Sequence, residues 1–197
     1  MGKVLMGAVV SLDGYIAADD DTVGPLFDWY RNGDVEVVLG DPDRPLRVSA
    51  ASAAYIRAEW AGVRATVIGR RLFDLTNGWG GVPAAGEHVF VVTHAPPRDW
   101  PFPDAPFTFV SDGVVSAVAQ ARAFASDGDV SVTAGNIGGQ ALAAGLVDEV
   151  HSDLVPVVLG SGKPFFGSFT GGPLLLEDAR RVVAGDRVLH VIHPVRT

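Results

Sequence analysis

The sequence has 197 residues, 48% of them hydrophobic, and a formal net charge of -8 at pH 7. This length and composition predict one globular domain, residues 1–197, and the negative charge argues against a chain that coats nucleic acid, because such proteins neutralise phosphates with clustered Lys and Arg. Since the sequence contains no cysteine, disulfides, thiolate zinc sites and cysteine nucleophiles are excluded.

The chain begins with a short apolar run, MGKVLMGAVV, which Ser11 and Asp13 interrupt. The run is too short for a signal-peptide core or a membrane span. We therefore predict that it forms a buried strand of a cytoplasmic protein with no membrane partner.

Short apolar runs rich in β-branched residues alternate with helical patterns over the next part of the chain. Such runs are typical of strands that are buried on both faces. Strands are predicted over residues 3–12, 65–69, 88–93, 107–110 and 130–134, and helices over 49–63, 71–76, 114–126 and 138–146. Ser49 and Asp112 stand where helix N-caps are expected. The alternation indicates an α/β sheet with a parallel core.

The last third of the chain has long β-prone runs without room for helices between them. These runs cover residues 147–160, 174–185 and 187–195, and Gly185-Asp186 has the composition of a hairpin turn. We predict antiparallel strands added to the parallel sheet. The polar DEVHSD and the apolar LVPVVLG after it are candidate surfaces for a homodimer.

Four segments with polar residues or glycines directly follow predicted strands, at residues 11–14, 69–71, 93–94 and 135–139. The carboxyl ends of parallel strands meet at one edge of a sheet, and α/β proteins bind ligands there. We therefore expect these four segments to form one site.

The stretch TAGNIGGQ, residues 133–140, places three glycines where a strand becomes a helix. Glycine permits positive φ and close approach of a ligand, and a helix N-terminus suits a phosphate. The alternative is that the glycines only tighten a turn. The G-x-x-G-G spacing differs from the Rossmann pattern, and GSGKPFF, residues 160–166, lacks the spacing and the Ser or Thr of a Walker loop. Phosphoryl transfer is therefore discarded.

Arg70 and Arg71 follow a predicted strand and open a short helix. Adjacent guanidinium groups form charge-assisted hydrogen bonds to a phosphate monoester. With Thr93 and His94 at the end of the neighbouring strand, they predict a second phosphate site, which favours NADPH over NADH. The alternative is a solvated helix start.

The histidines do not form a convincing metal site. Glu149, His151 and Asp153 share one strand face, so a metal triad is conceivable, but a solvated or subunit-facing polar face is favoured because one strand wraps an ion poorly. His190 and His193 should face opposite sides of their strand. No metal is predicted, and a hydrolytic triad at Ser11 and Asp13 lacks a histidine partner.

Together these motifs resemble the dihydrofolate-reductase-like superfamily, specifically the riboflavin-biosynthesis reductase domain family and its small stand-alone members. The resemblance covers almost the whole chain and rests on SLDGYIA (11–17), DWY (28–30), VIGRRLFD (67–74), GWGGVP (78–83), VFVVTHAPP (89–97), AGNIGGQAL (134–142), AGLVDEVH (144–151) and PVVLGSGKPFF (156–166). It implies an α/β, three-layer fold with a mixed, mostly parallel sheet flanked by helices and a C-terminal antiparallel hairpin. It also implies NADPH as cofactor and, commonly, a homodimer.

The matching motifs imply roles for individual residues. The cofactor-binding residues are Ala8 and Ile16 at the nicotinamide, Gly69, Arg70, Arg71 and Leu72 at the adenosine phosphates, Thr93 and His94 near the 2′-phosphate, and Gly135, Asn136, Ile137, Gly138 and Gly139 at the pyrophosphate. The residues facing the substrate are Asp13, Asp28 and Trp79.

Two positions depart from the family pattern. Leu72 stands where relatives often have Thr, and Asn136 stands where they usually have a second Gly. The corresponding Gly-Gly bond can be cis in the superfamily, at a cost of about 3–4 kcal/mol without proline. We therefore expect a strained or cis Gly135-Asn136 bond that directs N–H groups at the pyrophosphate.

The implied reaction is hydride transfer to a pterin-like or ribosylamino-pyrimidine-like molecule, as in 5-amino-6-(5-phosphoribosylamino)uracil reductases. The catalytic carboxylates we nominate to deliver a proton are Asp13 and Asp28. Phe27, Trp29 and Tyr30 are expected to remove Asp28 from water, and the alternative for Asp28 is a charge at a helix start. Dihydrofolate reduction and a non-catalytic NADPH-binding module are the alternative functions.

Overall fold

An eight-stranded sheet runs through the centre of the computed structural model, which describes residues 2–167 and 169–196. The strands are β1 (Val4–Ser11), β2 (Tyr15–Ala17), β3 (Val35–Val37), β4 (Leu46–Val48), β5 (Val63–Gly69), β6 (His88–Val92), β7 (Phe107–Val110), β8 (Asp129–Thr133), β9 (Glu149–Val155), β10 (Lys163–Pro164), β11 (Arg181–Ala184) and β12 (Leu189–Pro194). The α-helices are α1 (Ala50–Trp60), α2 (Arg70–Thr76), α3 (Val114–Ala125) and α4 (Asn136–Ala143), and 3₁₀ turns cover Gly24–Arg31 and Asn77–Gly81.

The strand order of the large sheet is β11-β12-β9-β1-β8-β5-β6-β7. The six strands from β9 to β7 are parallel, whereas β12 pairs antiparallel with both β9 and β11. The sheet is therefore mixed and mostly parallel, as predicted. Two small antiparallel ribbons lie outside it, β2 with β10 and β3 with β4.

Alternation along the strands divides the core into two faces. One face carries Met6 and Val132 and packs against the apolar sides of α3 and α4. The other face packs against α1 near β1 and β12, where Trp29 and Ile192 are buried, and against α2 near β5 and β6, where Phe73 is buried. Helices on both faces of the sheet complete the predicted three-layer arrangement.

Local sequence signals explain the ends of most elements. The hydroxyl of Ser49 accepts a hydrogen bond from the N–H of Ser52 and caps α1, as predicted. The prediction for Asp112 is wrong, because Gly113 occupies the N-cap of α3 and makes no side-chain cap. The hairpin turn at Gly185 is confirmed, since its N–H bonds the carbonyl of Val188 at 2.9 Å between β11 and β12.

None of the helices in residues 2–167 and 169–196 has the length and apolar character that a membrane span requires.

Candidate functional site

The four predicted ligand segments meet at the edge of the sheet where β1, β5, β6 and β8 end. Because these strands are parallel and β8 lies between β1 and β5, their carboxyl ends lie side by side. A Cβ atom on Gly135 would lie 3.1 Å from Cδ1 of Ile16, and one on Gly69 would lie 2.9 Å from Cγ1 of Ile137. The backbone of Phe165 joins the first and last segments, since its N–H bonds the carbonyl of residue 14 and its carbonyl accepts from the N–H of residue 135. The four segments therefore share one edge of the sheet, as predicted from the sequence.

The glycine turn begins at Gly135, whose φ of 86° and ψ of -150° lie in a region that other L-residues rarely adopt. The prediction of a cis peptide bond to Asn136 is wrong, because residues 2–167 and 169–196 contain no cis peptide bond. The bond is trans and follows a glycine of positive φ, a conformation that glycine adopts without strain, so the expected strain is not found either. Helix α4 starts at Asn136, two residues earlier than predicted, and has no side-chain cap. Because α4 follows β8 directly, its N-terminus lies at the edge that the four segments share, which is the position that an anion site requires.

At Gly138 and Gly139, glycine is required because no space is left for a Cβ atom. A Cβ on Gly138 would lie 2.8 Å from the carbonyl oxygen of Thr133 and 2.9 Å from Cε of Met6. A Cβ on Gly139 would lie 2.1 Å from the carbonyl oxygen of Phe166. Both residues are buried, so they let α4 pack against the sheet and against the segment after β10. For these two glycines, the structure favours the alternative that glycine serves the local geometry of the chain rather than a ligand.

Arg70 directly follows β5, and its side chain reaches the end of β6, so it joins two of the predicted segments. Its guanidinium donates to Asp74 Oδ1 at 2.7 Å, to the carbonyl of Ala95 at 2.6 Å and to the hydroxyl of Thr93 at 3.3 Å. Thr93 is buried, and His94 beside it is exposed. The structure therefore brings Arg70 and Thr93 into direct contact at the place where a second phosphate is predicted.

Arg71 points away from Arg70 and pairs with a different carboxylate. Its Nε atom donates to Asp21 Oδ1 at 2.7 Å, and its Nη2 atom donates to Asp21 Oδ2. The prediction of one basic pair for a single phosphate is therefore wrong, because the two guanidinium groups diverge and each already has an acidic partner.

The remaining predicted residues lie around this edge in different packing environments. Ala8 and Ile16 are half-buried against the core under α3 and α4. Leu72 and Trp79 pack against Phe73 on the opposite face of the sheet. Trp79 also has a φ of 50° within a turn of left-handed residues. The backbone of this turn and the packing of the indole ring together fix the position of Trp79.

Asp13 is held by hydrogen bonds to both of its carboxylate oxygens. The hydroxyl of Ser11 donates at 2.6 Å, and the N–H groups of Leu159 and Gly160 donate at 3.1 and 2.7 Å. These bonds, the one from Ser11 above all, hold the pKa of Asp13 below its usual value. Asp13 is therefore a poor proton donor at neutral pH, and its bonds fasten the end of β1 to the loop after β9.

The prediction that aromatic neighbours remove Asp28 from water is wrong, because Asp28 is exposed in the turn Gly24–Arg31. Trp29 is only 2% exposed and packs edge-on against His190, with 5.1 Å between ring centroids. Its indole N–H is buried and has no hydrogen-bond partner within the described ranges. The aromatic side chains of this turn thus face the core, and the carboxylate faces water.

No protein-family model and no curated protein matches the sequence. Solved structures match its shape over 99–100% of the chain. A putative riboflavin biosynthesis protein from Shewanella sp. PV-4 is 19% identical, with a TM-score of 0.69 and 99% of that chain covered. A dihydrofolate reductase from Enterococcus faecalis, complexed with NADP(H), is 13% identical, with a TM-score of 0.58 and 98% of that chain covered.

The chain has the dihydrofolate-reductase-like fold. A third structure supports this assignment, a deaminase/5-amino-6-(5-phosphoribosylamino)uracil reductase from Thermotoga maritima that is 14% identical, with a TM-score of 0.65. The present chain covers 57% of that longer protein. The resemblance read from the motifs is confirmed for the dihydrofolate-reductase-like fold, which places the glycine turn and Arg70 at the same edge of the sheet.

A buried ionic network lies on the α1 face of this fold, where the sequence predicted a solvated or subunit-facing strand. Glu149 accepts hydrogen bonds from Arg180 at 2.8 Å to each oxygen, from Lys3 at 2.6 Å and from His151 at 3.1 Å. Glu149, His151 and Asp153 are 3%, 6% and 9% exposed. The prediction of an exposed polar face is therefore wrong, and β9 lies between β12 and β1 rather than at an outer surface.

The neighbouring hydrogen-bond donors outweigh the effect of burial on the pKa of Glu149. Burial alone would raise its pKa, but the hydrogen bonds from Arg180, Lys3 and His151 lower the pKa to about 2. Burial lowers the pKa of His151, against the effect of the neighbouring Glu149. Within the described residues, no group of three His, Asp or Glu side chains is arranged to hold a metal ion. Glu149 is instead an internal counter-ion that joins β9 to the N-terminus and to Arg180.

Sequence reasoning missed a second buried relay on the same face. His190 is fully buried, its Nδ1 atom lies 2.6 Å from Asp153 Oδ1, and its Nε2 atom lies 2.9 Å from the hydroxyl of Ser52. Ser52 is 1% exposed, and a Cβ on Gly185 would lie 2.2 Å from its hydroxyl oxygen. Because backbone closes over Ser52, the relay fastens α1 to β12 and has no room for a substrate. The opposite orientations of His190 and His193 were the only sequence signal for it.

Proposed function

We propose that this protein is an NADPH-dependent reductase that transfers a hydride to a pterin-like or ribosylamino-pyrimidine-like small molecule. One observation carries the proposal: the positive-φ Gly135 turn at the start of α4 and the Arg70–Thr93 pair lie at the same edge of the sheet. The Gly135 turn at the helix N-terminus suits a pyrophosphate, and the Arg70–Thr93 pair suits a further phosphate. The neighbours named as a phosphoribosylamino-uracil reductase and as a dihydrofolate reductase complexed with NADP(H) support the same chemistry.

The residues at this edge fit such a cofactor. A Cβ on Gly135 would reach toward Ile16 and fill part of the cradle, so glycine leaves room for a phosphate. Arg70 and Thr93 would hold the 2′-phosphate, and Ala8 and Ile16 would border the nicotinamide. When bound, NADPH supplies the hydride. The chain orients the ring against the substrate and excludes water from the reacting atoms.

Proton delivery falls to Asp28 rather than to Asp13. The carboxylate of Asp13 is already committed to Ser11 and to two backbone N–H groups, so its role is to position the end of β1. The carboxylate of Asp28 is exposed to water.

Two other functions have an observation in their favour. Dihydrofolate reduction is favoured by the likeness to the Enterococcus faecalis enzyme. A non-catalytic NADPH-binding module is favoured by the lack of a buried carboxylate among the residues nominated for catalysis.

We further propose a homodimer. DEVHSD is not its surface, since β9 is internal, whereas Val158 in LVPVVLG is 69% exposed.

We expect the purified protein to oxidise NADPH with the phosphoribosylamino-pyrimidine, and more slowly with dihydrofolate, when the loss of nicotinamide absorbance is followed. The Asp28→Asn variant should lose about tenfold or more of this turnover and keep its affinity for NADPH, because general acid catalysis contributes factors of this size. Unchanged turnover would remove Asp28 from the mechanism. Binding of NADPH without oxidation by either substrate would favour the binding module.

A further inference from the structure

Residues 18–22, which we call the strap, form a tight turn directly after β2. The N–H of Ala18 bonds the carbonyl of Thr22 at 2.8 Å, and the N–H of Asp21 bonds the carbonyl of Ala18 at 3.1 Å. Asp19 fastens one side of the strap, since its carboxylate accepts from Ser161 at 2.6 Å and its carbonyl accepts from Lys163 at 2.9 Å. This side of the strap is therefore attached to the segment around β10.

The other side of the strap is attached to α2 by an ion pair between Asp21 and Arg71, and Asp21 Oδ1 also lies 4.0 Å from Nζ of Lys163. The carboxylate of Asp21 receives two hydrogen bonds from the guanidinium of Arg71, which is the geometry that arginine uses for carboxylates and phosphates alike. The side chain of Asp21 is 12% exposed, whereas that of Arg71 is 65% exposed. Asp21 has a φ of 69°, a left-handed conformation that costs a non-glycine residue about 1–2 kcal/mol. The guanidinium of Arg71 is thus the main partner of a carboxylate that sits on a left-handed residue.

This contact joins two elements that flank the glycine turn. The strap continues from β2, whose Ile16 lies beside Gly135, and Arg71 follows β5, whose last residue, Gly69, lies beside Ile137. Since β8 lies between β1 and β5 in the sheet, a bond from the strap to Arg71 closes across the carboxyl end of β8. The Asp21–Arg71 pair therefore links the two sides of the edge at which the pyrophosphate is proposed to bind.

We propose that Asp21 is an internal anion that competes with a cofactor phosphate for the guanidinium of Arg71. The inference rests on the proposed function and adds a regulatory contact to it. One guanidinium fork cannot hold a carboxylate and a phosphate in the same bidentate geometry, so binding of the dinucleotide exchanges one partner for the other and releases the strap. Asp21 then sets the affinity of the site through Arg71.

The test is a fluorescence titration with NADPH of the wild type, Asp21→Asn, Arg71→Ala and the double variant. Asp21→Asn should bind about threefold to fivefold more tightly than the wild type, as the loss of an exposed ion pair allows. Arg71→Ala should bind more weakly, and the double variant should bind as Arg71→Ala does, because Asp21 acts only through Arg71. Asp20→Asn is the matched control: it removes the same charge from the same turn, but its carboxylate bonds only Thr22.

Each outcome decides the inference. An Asp21→Asn variant that binds no more tightly than the wild type or than Asp20→Asn overturns it and leaves the proposed function standing. An equal gain from Asp21→Asn in the Arg71→Ala background also overturns it, because the gain would then reflect general repulsion. If no variant binds NADPH, both the inference and the proposed function fail.

Discussion

Replacing Arg180 with methionine is expected to lower the free energy of unfolding by about 3 kcal/mol at pH 7, measured by urea denaturation. Arg180 donates to both oxygens of Glu149 and also to Glu59 at 2.6 Å. The side chains of these two carboxylates are 4% and 8% exposed. Methionine keeps much of the packing volume but leaves the buried charges without their main partner. The loss is large because charges left buried are not compensated by water.

Arg181→Met is the matched control, because the side chain of Arg181 is 35% exposed and that of Arg180 is 34% exposed. Arg181 contacts only Glu59 of this network, at 2.8 Å, so its loss should be about 1 kcal/mol or less. The pKa of Glu149 lies at about 2 in the folded protein, below its usual value of 4.5. This stabilisation is present above pH 4.5 and is lost as the pH falls toward 2. The difference between Arg180→Met and the wild type should shrink over that range, and a constant difference would contradict an ionic origin.

Gly139→Ala is the substitution in the glycine turn with the largest expected effect. The added Cβ would lie 2.1 Å from the backbone oxygen of Phe166, and a backbone atom cannot turn aside as a side chain can. We expect a loss of about 1–3 kcal/mol in unfolding free energy, although alanine favours a helix by about 1 kcal/mol over glycine. Urea denaturation measures this loss directly.

Gly62→Ala provides the comparison for this prediction. Its Cβ would approach only the end of the Asp129 side chain, at 2.9 Å from Oδ2, and that carboxylate can move. The unfolding free energy should therefore change by less than about 0.5 kcal/mol. If Gly139→Ala were as stable as Gly62→Ala, the packing explanation of Gly139 would be incorrect.

Local patterns in the sequence predicted the parts of the fold that depend on neighbouring residues. Apolar runs located the strands, and Ser49 located the start of α1, because hydrophobic burial and capping act over a few residues. The position of the glycine turn was predicted for the same reason. The reason for Gly139 was not, since the carbonyl that excludes a side chain belongs to Phe166, which is distant in sequence and joins the turn only through tertiary packing.

Side-chain environments that depend on tertiary contacts were predicted less well. The alternation in β9 correctly placed Glu149 and His151 on one face, but it gave no sign that Arg180 and Lys3 would neutralise that face and allow its burial. The aromatic neighbours of Asp28 suggested a dry carboxylate. In a 3₁₀ turn those rings point into the core while Asp28 points to water, which a count of neighbouring apolar residues does not distinguish.

The measurement that tests the central claim most directly is a fluorescence titration of the wild type, Arg70→Ala and Arg64→Ala with NADPH and with NADH. We expect the wild type to bind NADPH with a dissociation constant on the order of micromolar and to bind NADH about tenfold more weakly. Arg70→Ala should lose this preference for NADPH, because Arg70 and Thr93 form the proposed 2′-phosphate site. Arg64, which pairs with Glu87 near the amino end of β5, carries the same charge at the opposite edge, and its variant should behave as the wild type. If the wild type bound neither dinucleotide, or if Arg64→Ala weakened NADPH binding as much as Arg70→Ala, the account of a cofactor site at the glycine turn would be contradicted.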